Sequence, residues 1–312
     1  MASGGGRIWR SLLFCPADRP DRIAKAFAAR PGGVIVDLED GVHPARRPAA
    51  RRDAVDALSA GPDARVTRLI RVNRAASPDL AEDLVAVAGP GLDAVVLPKV
   101  SGPEDVTEVA GRLTAAERKR GAAEESIGIV PVVEDCAALL RAVPIALSSP
   151  RVVAMSFAGA EAGDFMADLG GRWTPDGIAL LYPKSRFVCD VRAAGDLPAI
   201  DGPSMNLGDP AVWESESSLS RTLGFDGKVA IHPRQLDVIH RVFTPTAAEI
   251  EEARLLLAKL DEAAAHARGV FGDGGRMIDS ANGRAARRLL RRAGESPSDT
   301  GAGRGARRGE HA

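Results

Sequence analysis

Eight short aliphatic segments, separated by longer stretches of helical pattern, constrain the fold of this 312-residue chain more than any other feature. Runs rich in Val, Ile and Leu are typical of buried strands, and the amphipathic stretches between them predict helices. The predicted strands span Ser11–Cys15, Val34–Leu38, Thr67–Val72, Ala94–Leu97, Ile127–Val133, Val152–Phe157, Leu197–Ile200 and Lys228–Ile231. The predicted helices between them span Arg19–Arg30, Pro48–Leu58, Leu80–Ala88, Pro103–Arg118, Cys136–Leu147, Asp176–Ala194 and Glu214–Leu223.

This alternation of strand and helix predicts a parallel sheet covered by helices. Eight such units in about 240 residues match the usual size of a (β/α)₈ barrel. A doubly wound open sheet is the alternative, but it usually carries a Gly-rich dinucleotide-binding turn after its first strand. Here the first strand is followed by Pro-Ala-Asp-Arg-Pro at positions 16–20. The expected fold is therefore an α/β TIM barrel, and an aromatic content of only 4% agrees with its aliphatic core.

Sequence beyond the eighth strand predicts an additional element. A helical stretch at Ala247–Arg268, a Gly-rich turn and a second helix from about Ser280 to Arg292 predict an appended C-terminal helical lid or arm. The expected organisation is a TIM barrel over residues 9–245 and the lid or arm over 246–293. Low-complexity composition predicts disorder in residues 1–8 and 294–312.

Charge and hydropathy exclude several classes of protein. The chain carries 41 basic and 42 acidic residues, and its basic C-terminal run lacks interleaved aromatics, so we expect no nucleic-acid partner. No apolar run reaches the roughly 20 residues of a membrane helix, and the N-terminus lacks the apolar segment of a secretory signal. Three widely spaced cysteines fit neither a disulfide framework nor a zinc site. These features predict a cytoplasmic protein with free thiols and no membrane contact.

Polar side chains follow predicted strands two to eight, and the C-terminal ends of barrel strands are where TIM barrels carry their chemistry. Any one of these residues can simply mark the exit of a strand to solvent. Cations and several carboxylates converging on one face indicate a metal or substrate site, because unpaired buried charges are costly. The residues are Asp37, Glu39, Asp40, Arg71, Asn73, Lys99, Glu134, Asp135, Glu161, Asp164, Asp201 and His232.

The chemistry of these side chains favours a magnesium site. Carboxylates without His or Cys companions suit a hard cation, and Mg²⁺ typically takes only one or two protein carboxylates. Glu134 and Asp164, from the neighbouring fifth and sixth strands, fit that role. Arg71 is suited to holding a substrate carboxylate through two parallel hydrogen bonds, which Lys does less well.

Eight motifs along the chain resemble the HpcH/HpaI aldolase and citrate lyase family, and they occur in the order given below. The similarity is greatest to its CoA-ester lyase branch, the citrate lyase β-subunit-like proteins and malyl- or citramalyl-CoA lyases, and it runs from about Arg10 to Arg292. The motifs are RSLLFCPADRPDRIAKA, VIVDLEDGVHPARRPAAR, RLIRVN, VVLPKV, PVVED, FAGAEAGDFMADLGG, LGFDGKVAIHPRQLDVIHRVFTP and GRMID.

The resemblance implies a TIM barrel, a Mg²⁺ ion, and cleavage or formation of a C–C bond between an acyl-CoA and a short 2-oxo acid such as glyoxylate or pyruvate. It implies a homo-oligomer, a trimer or hexamer, whose C-terminal arm acts on a neighbouring subunit. Carried over by position, it implies Glu134 and Asp164 as metal ligands that also contact substrate, and Arg71 as the residue that holds the oxo acid. It places Asp37 and Glu39 near a water on the metal, and Asp279 in GRMID as the acid/base.

Some positions depart from the family pattern or leave alternatives open. Gly163 stands where many members have Glu before the metal-binding Asp, so Glu161 is the competing ligand. The spacing to Leu169-Gly170 favours Asp164. Arg276 replaces a common Lys, and an insertion at Ala116–Ser126 lengthens one connection, with consequences expected for CoA contacts or subunit packing.

Four further positions have two readings. Arg19 and Lys25, with Arg22, are candidates for the CoA phosphates, although a solvated helix face has the same pattern. His232 is placed at the mouth, where a catalytic role is one reading, but because Pro233 follows it we favour a structural hydrogen-bonding residue.

Two alternative functions share the same residues. A malate synthase or malyl-CoA thioesterase would use the same metal site and differ in whether water reaches the thioester. A non-catalytic, citrate-lyase-like accessory subunit is the other alternative, and the presence of Arg71, Glu134, Asp164 and Asp279 together argues against it.

Overall fold

The structure, a computed structural model, describes residues 9–59, 63, 65–266, 271–273 and 276–295. Eight parallel strands close into one barrel in chain order, which confirms the predicted TIM barrel. The predicted disordered segment 1–8 and residues 296–312 of the predicted tail lie outside the described residues. The strands are β1 (Ser11–Pro16), β2 (Gly33–Asp37), β3 (Thr67–Arg71), β4 (Ala94–Leu97), β5 (Gly128–Val133), β6 (Met155–Phe157), β7 (Ala199–Asp201) and β8 (Gly227–Ala230).

Ten helices accompany these strands in the described part of residues 9–243. They are α1 (Pro20–Ala28), α2 (Arg47–Ser59), α3 (Leu80–Val87), α4 (Pro103–Lys119), α5 (Cys136–Leu139), α6 (Ala142–Leu147), α7 (Asp164–Leu169), α8 (Ile178–Ala194), α9 (Pro210–Leu223) and α10 (Leu236–Phe243), with 3₁₀ turns at Pro44–Arg46 and Pro233–Gln235. Within the part of the chain that the structure describes, no helix is both long and apolar enough to cross a membrane.

Several predicted elements differ from the observed ones, and helices α7 and α10 have no predicted counterpart. The helix expected over Cys136–Leu147 is two short helices, α5 and α6. Pro144 favours the break, because proline has no N–H to donate within a helix and is best accommodated in the first turn, where it stands in α6. The sixth strand is shorter than expected, and Val152 makes only an isolated bridge to Ile129.

Side chains of the strands alternate between two hydrophobic layers. One cluster fills the barrel and includes Leu12, Ile35 and Leu69. A larger cluster, which includes Leu13 and Ile70, lies between the barrel wall and the helices. Successive residues of a strand point to opposite faces, so every second residue of a barrel strand faces the interior. This period decides which strand-end residues face the barrel mouth.

The described residues from Thr244 onward form a second compact unit. Its helices are α11 (Ala247–Ala265) and α12 (Ser280–Ala293), and an antiparallel pair, β9 (Phe271–Asp273) and β10 (Arg276–Ile278), stands in and beside the predicted Gly-rich turn. The helices pack closely through a small core, and a Cβ added at Gly283 would lie 2.9 Å from Leu260 Cδ1, so a larger residue there would require the Leu260 side chain to move. The core residues are Ala253, Leu257, Ala286 and Leu290.

Asp201 corrects one expectation about the strand ends. It follows Ile200, which lies inside the barrel, so its side chain points outward into the helix layer and not into the mouth. Its Oδ2 accepts hydrogen bonds from Lys184 Nζ at 2.9 Å, Lys228 Nζ at 2.8 Å and Ser220 Oγ at 2.5 Å. Although burial raises the pKa of Asp201, the two ammonium groups outweigh it and lower the pKa to about 2.

Replacing Asp201 with asparagine should destabilise the barrel by about 3–5 kcal/mol, or roughly 10 °C in Tm, because two buried ammonium groups lose their carboxylate. A carboxyl whose pKa is lowered on folding stabilises the protein above its unfolded pKa of about 3.9, and that contribution is lost as the pH falls towards 2. Thermal melts should therefore show a Tm difference between wild type and variant at pH 7 that shrinks below pH 4. Asp56→Asn, on the exposed face of α2, is the matched control, and an equal loss there would contradict the assignment.

Candidate functional site

Three charged side chains face the barrel mouth because of the strand period. Asp37, Arg71 and Glu134 each stand two positions after an interior residue of the same run, so they continue the interior face at its C-terminal end. The interior residues below them are Ile35, Leu69 and Val132. The predicted convergence of these three strand ends is therefore observed.

Arg71 is fixed by a two-point ion pair. Its Nε lies 2.6 Å from Asp37 Oδ1 and its Nη2 lies 2.7 Å from Asp37 Oδ2, and the guanidinium carbon lies 4.8 Å from the centre of the Phe14 ring. Burial opposes the charge, but the Asp37 and Glu39 carboxylates outweigh it and raise the pKa of Arg71. The arrangement holds a permanent positive charge at the mouth in one orientation.

The turn after β2 wraps around the same carboxylate. Asp37 Oδ1 accepts a hydrogen bond from the Glu39 N–H at 2.9 Å, and Asp37 Oδ2 accepts one from the Gly41 N–H at 2.8 Å. A Cβ at Gly41 would lie only 2.4 Å from Asp37 Oδ2, so only glycine allows this approach. The Asp-Leu-Glu-Asp-Gly sequence is thus a carboxylate-centred turn that directs Glu39 into the mouth.

Glu39 lies between two cations. Its Oε1 accepts a hydrogen bond from Lys99 Nζ at 2.9 Å, and its Oε2 lies 3.2 Å from Arg71 Nη1. Burial raises the pKa of Glu39, and the charges of Arg71 and Lys99 act against that rise. Oε2 is buried and accepts no hydrogen bond within the described residues, so this oxygen has capacity for a further donor or cation.

Lys99 joins the site without having been assigned a role from the sequence. Its backbone adopts the left-handed region, with φ of 50°, which is uncommon for a lysine. Its ammonium lies 3.0 Å from Asp40 Oδ2 and 3.7 Å from Asp164 Oδ2, in addition to its bond to Glu39. Lys99 therefore links the β2 turn to the start of α7. The only sequence signal for a role of Lys99 was its position directly after Pro98, at the end of β4.

Glu134 and Asp164 are the two carboxylates predicted to bind metal. Glu134 is only 7% exposed. Burial, together with the nearby charge of Glu39, raises the pKa of Glu134 to about 7, and Arg71 and Lys99 act in the opposite direction. Asp164 is the first residue of α7, with a side chain 61% exposed. The competing candidate, Glu161, is exposed in the turn before α7.

The donor set suits a hard divalent cation. All candidate ligands are carboxylate oxygens, and a buried carboxyl with a pKa near 7 gains from a neighbouring positive ion. Among the residues that the structure describes, no group of three or more His, Cys, Asp and Glu side chains is arranged to hold a metal. A site of two carboxylates, completed by water and substrate oxygens, matches the behaviour of Mg²⁺.

Other predicted positions lie away from this cluster. Arg19, at the start of α1, has its guanidinium on Asp21 at 3.0 Å, and Lys25 is exposed in the last turn of the same helix. Neither observation tests a role with CoA, so CoA binding by Arg19 and by Lys25 stays a prediction. His232 accepts a hydrogen bond from the Arg234 N–H and caps a 3₁₀ turn, in agreement with its structural interpretation.

Asp279 lies in the second unit and caps α12. Its Oδ1 accepts hydrogen bonds from the N–H groups of Ala281 at 2.8 Å and Asn282 at 3.4 Å. The Asn282 side chain accepts in return from the Asp279 N–H at 2.9 Å, which completes a capping box. The helix end therefore fixes one carboxylate oxygen and leaves Oδ2 for other chemistry.

Comparison with known proteins finds relatives that are similar over most of this chain. The citrate lyase subunit beta-like protein of Deinococcus radiodurans is 36% identical over 289 residues, 91% of this chain and 96% of that protein. The L-malyl-CoA/beta-methylmalyl-CoA lyase of Cereibacter sphaeroides is 32% identical over 304 residues, 91% and 94% of the two chains.

A solved structure is similar over nearly the whole chain. CitE from Mycobacterium tuberculosis, in complex with magnesium, acetoacetate and coenzyme A, has a TM-score of 0.71 and 32% identity, and the match covers 95% of this chain and 100% of that one. Its magnesium is the metal that the carboxylates of the present chain predict. The family model described as HpcH/HpaI aldolase/citrate lyase matches residues 10–233, so the resemblance seen in the motifs is confirmed. The chain belongs to the HpcH/HpaI aldolase/citrate lyase family and is an aldolase-type carbon–carbon lyase.

Proposed function

We propose that this protein is a Mg²⁺-dependent CoA-ester lyase that cleaves or forms a C–C bond between an acyl-CoA and a short 2-oxo acid. Substrates of the malyl-CoA, methylmalyl-CoA or citramalyl-CoA type fit this proposal. The observation that carries it is the grouping of a fixed guanidinium, Arg71, with the carboxylates Glu134 and Asp164 at one barrel mouth. The similarity to a malyl-CoA lyase and to a protein that binds magnesium and coenzyme A supports it.

Glu134 and Asp164 are the residues that would hold Mg²⁺. The ion, when bound, supplies a Lewis acid that polarises the 2-oxo acid carbonyl. Glu39 lies near enough to Glu134 to raise its pKa, and Asp37 holds Arg71 beside it. Oε2 of Glu39 forms an ion pair with Arg71 but accepts no hydrogen bond within the described residues, so it would be suited to orienting a polar group near the ion. Lys99 balances part of the negative charge of Glu39 and Asp164, which keeps several carboxylates together in a small volume.

Arg71 would bind the carboxylate of the oxo acid and stabilise negative charge that develops on its carbonyl oxygen. Asp37 occupies Nε and one N–H of Nη2, and Glu39 Oε2 lies 3.2 Å from Nη1. The second N–H of Nη2 and one N–H of Nη1 are then left for the substrate. Because Asp37 and the Phe14 ring already orient the guanidinium, little reorganisation is needed during the reaction. Lysine at this position would supply charge without the two-point geometry.

Asp279 would exchange the proton of the thioester substrate. In the condensation direction its carboxylate takes a proton from the methyl group next to the thioester carbonyl, and in cleavage it returns that proton to the departing enolate. The backbone N–H groups at the start of α12 hold Oδ1, so Oδ2 is the atom that would carry the proton. In the proposed homo-oligomer, a trimer or hexamer, the arm supplies this residue to a neighbouring subunit.

Subunit mixing tests the action of the arm in trans. Arg71→Met and Asp279→Asn proteins should each be inactive, but unfolding and refolding them together should restore about a quarter of the wild-type rate. A quarter is expected because each site needs one intact residue from each of two randomly mixed subunits. Steady-state assays before and after mixing provide the measurement. No recovery, with oligomers formed normally, would mean that Asp279 acts within its own chain or not at all.

A substrate panel tests the proposed reaction. Malyl-CoA, methylmalyl-CoA and citramalyl-CoA are each incubated with Mg²⁺ or with excess chelator, and the 2-oxo acid released is quantified. At least one ester should yield an oxo acid only when Mg²⁺ is present. Discrimination between glyoxylate and pyruvate products depends on space for one methyl group, worth about 1–3 kcal/mol, so two active esters are an expected outcome.

A further inference from the structure

We propose that Asn73 and Asp83, supported by Arg51, are positioning residues that hold Arg71 and the β2 turn in register for the 2-oxo acid. This inference rests on the proposed function, because it takes Arg71 as the group that binds the oxo acid. It concerns a buried network behind the mouth, formed by Asn73, Asp83 and Arg51, which we call the Asn73 network.

Asn73 connects the two segments that carry the site. It stands two residues after Arg71 and is 2% exposed. Its Nδ2 donates to the backbone carbonyl of Leu38 at 3.2 Å and to Asp83 Oδ2 at 2.7 Å. Because Leu38 lies between Asp37 and Glu39, a single side-chain amide ties the end of β3 to the turn that carries both carboxylates.

Asp83 anchors Asn73 to the helix layer. It lies in the first turn of α3 and is fully buried. Its Oδ2 accepts from the Asn73 backbone N–H at 2.8 Å as well as from the Asn73 amide, and its Oδ1 accepts from Arg51 Nε at 2.7 Å. Arg51, on α2, is 5% exposed and supplies the positive charge that a buried carboxylate requires.

The backbone pairing of β2 with β3 alone does not fix the β2 turn and the end of β3 at the barrel mouth. Pairing of β2 with β3 ends at Asp37 and Arg71, and beyond it the Leu38 N–H still donates to the Arg71 carbonyl at 2.9 Å. The bond from the Asn73 side chain to the Leu38 carbonyl is the next connection between the two segments beyond the paired strands. A misplacement of about 1 Å at a reacting centre can cost about 10²-fold in rate, so this connection bears on catalysis.

The chemistry of the Asn73 network favours positioning over simple stabilisation. Buried ion pairs often contribute no more stability than well-packed apolar residues of similar volume, so their benefit is expected in the geometry that they impose. Every hydrogen bond of Asn73 described here reaches either Asp83 or the Leu38 carbonyl beside the site. The network thus joins α2 and α3 to the residues around the proposed oxo-acid position.

The test compares Asn73→Ala with Arg47→Met. Arg47 pairs with Asp79 at 2.5 Å across the same α2–α3 interface and has no described contact with Asn73 or Asp83. Arg51 Nη2 also bonds Asp79 at 2.8 Å, so Asp79 keeps a partner when Arg47 is replaced, and the variant controls for loss of one polar link between these helices. Pyruvate binding in the presence of Mg²⁺, Mg²⁺ affinity alone and turnover of the best panel ester are measured well below the Tm of each protein. We expect Asn73→Ala to weaken pyruvate binding and lower kcat/KM by about 10–100-fold, with Mg²⁺ affinity changed less than about twofold. Arg47→Met should leave all three unchanged.

A second background separates positioning from structure. If Asn73 acts through Arg71, the Asn73→Ala effect on pyruvate binding should largely disappear in Arg71→Lys protein, because the precise guanidinium geometry is already lost. Equal losses in both backgrounds, or unchanged pyruvate binding in Asn73→Ala, would overturn the inference. Absence of turnover in wild type would instead refute the lyase proposal, and the pyruvate titrations would still decide the role of Asn73.

Discussion

Replacing Glu134 with glutamine should lower Mg²⁺-dependent turnover at least about 10³-fold, because the Lewis acid contributes several kcal/mol to such reactions. Glutamine has nearly the same shape but lacks the charge that a cation requires. Glu134 is buried with a pKa of about 7, so its ionised form is costly when no metal ion is bound. Isothermal titration should show the loss of Mg²⁺ affinity, and steady-state assays at saturating ester should show the loss of turnover.

The stability of the Glu134→Gln protein provides an internal check on folding. A carboxyl whose pKa is raised on folding costs stability as the pH rises from its unfolded value, near 4.3, through about 7. At pH 8 without metal, the glutamine variant should therefore be at least as thermally stable as wild type. A lower Tm would indicate that Glu134 is a structural partner of Arg71 or Lys99 and not a metal ligand.

Asp164 and Glu161 form a matched pair for the second ligand. Asp164→Asn should reproduce the loss of Mg²⁺ affinity, and Glu161→Gln, three residues earlier in an exposed turn, should not. The reverse result would transfer the ligand role to Glu161.

Asp279→Asn should reduce turnover by about 10²–10⁴-fold, the usual contribution of a positioned acid or base. Asparagine caps helices as well as aspartate does, so α12 should remain intact and the Tm should be unchanged. Exchange of the thioester methyl protons with deuterated water provides a direct readout, because it requires a base and no C–C bond cleavage. That exchange should disappear with Asp279→Asn.

Asp279→Ser and Asp279→Ala separate the chemical role from the capping role. Serine retains a cap without an acid or base, so it should match the activity loss of asparagine with little change in Tm. Alanine should lose the activity and also about 1 kcal/mol of stability. An Asp279→Asn protein with full activity would remove Asp279 from the mechanism.

The barrel was predictable because its strands are short, continuous aliphatic runs, as expected when both faces of a strand are buried. The same property limits what the sequence can reveal about orientation. All five residues of β2 are buried, so no alternation indicates which residues face the interior. Asp37, Arg71 and Glu134 were correctly placed at the mouth, whereas Asp201 satisfied the same criterion and points into the helix layer.

Residues that act through distant partners were not predictable from local patterns. Lys99 contacts Glu39 across 60 positions of sequence, and Arg51 contacts Asp83 across 32. Asn73 was recognised only as a polar strand end, because its bond to the Leu38 carbonyl depends on the register of β2 with β3. Charge and strand position indicate candidate site residues, but which of these residues contact one another depends on tertiary packing.

The most direct measurement is the identity of the products formed from malyl-CoA in the presence of Mg²⁺, determined by mass spectrometry of the CoA species and assay of the small acid. A carbon–carbon lyase should form acetyl-CoA and glyoxylate in equal amounts, and chelation of the metal should stop the reaction. Methylmalyl-CoA and citramalyl-CoA should be followed in the same way. Free CoA and malate as the sole products would identify a thioesterase, and no consumption of any of the three esters by the folded protein would contradict a catalytic lyase.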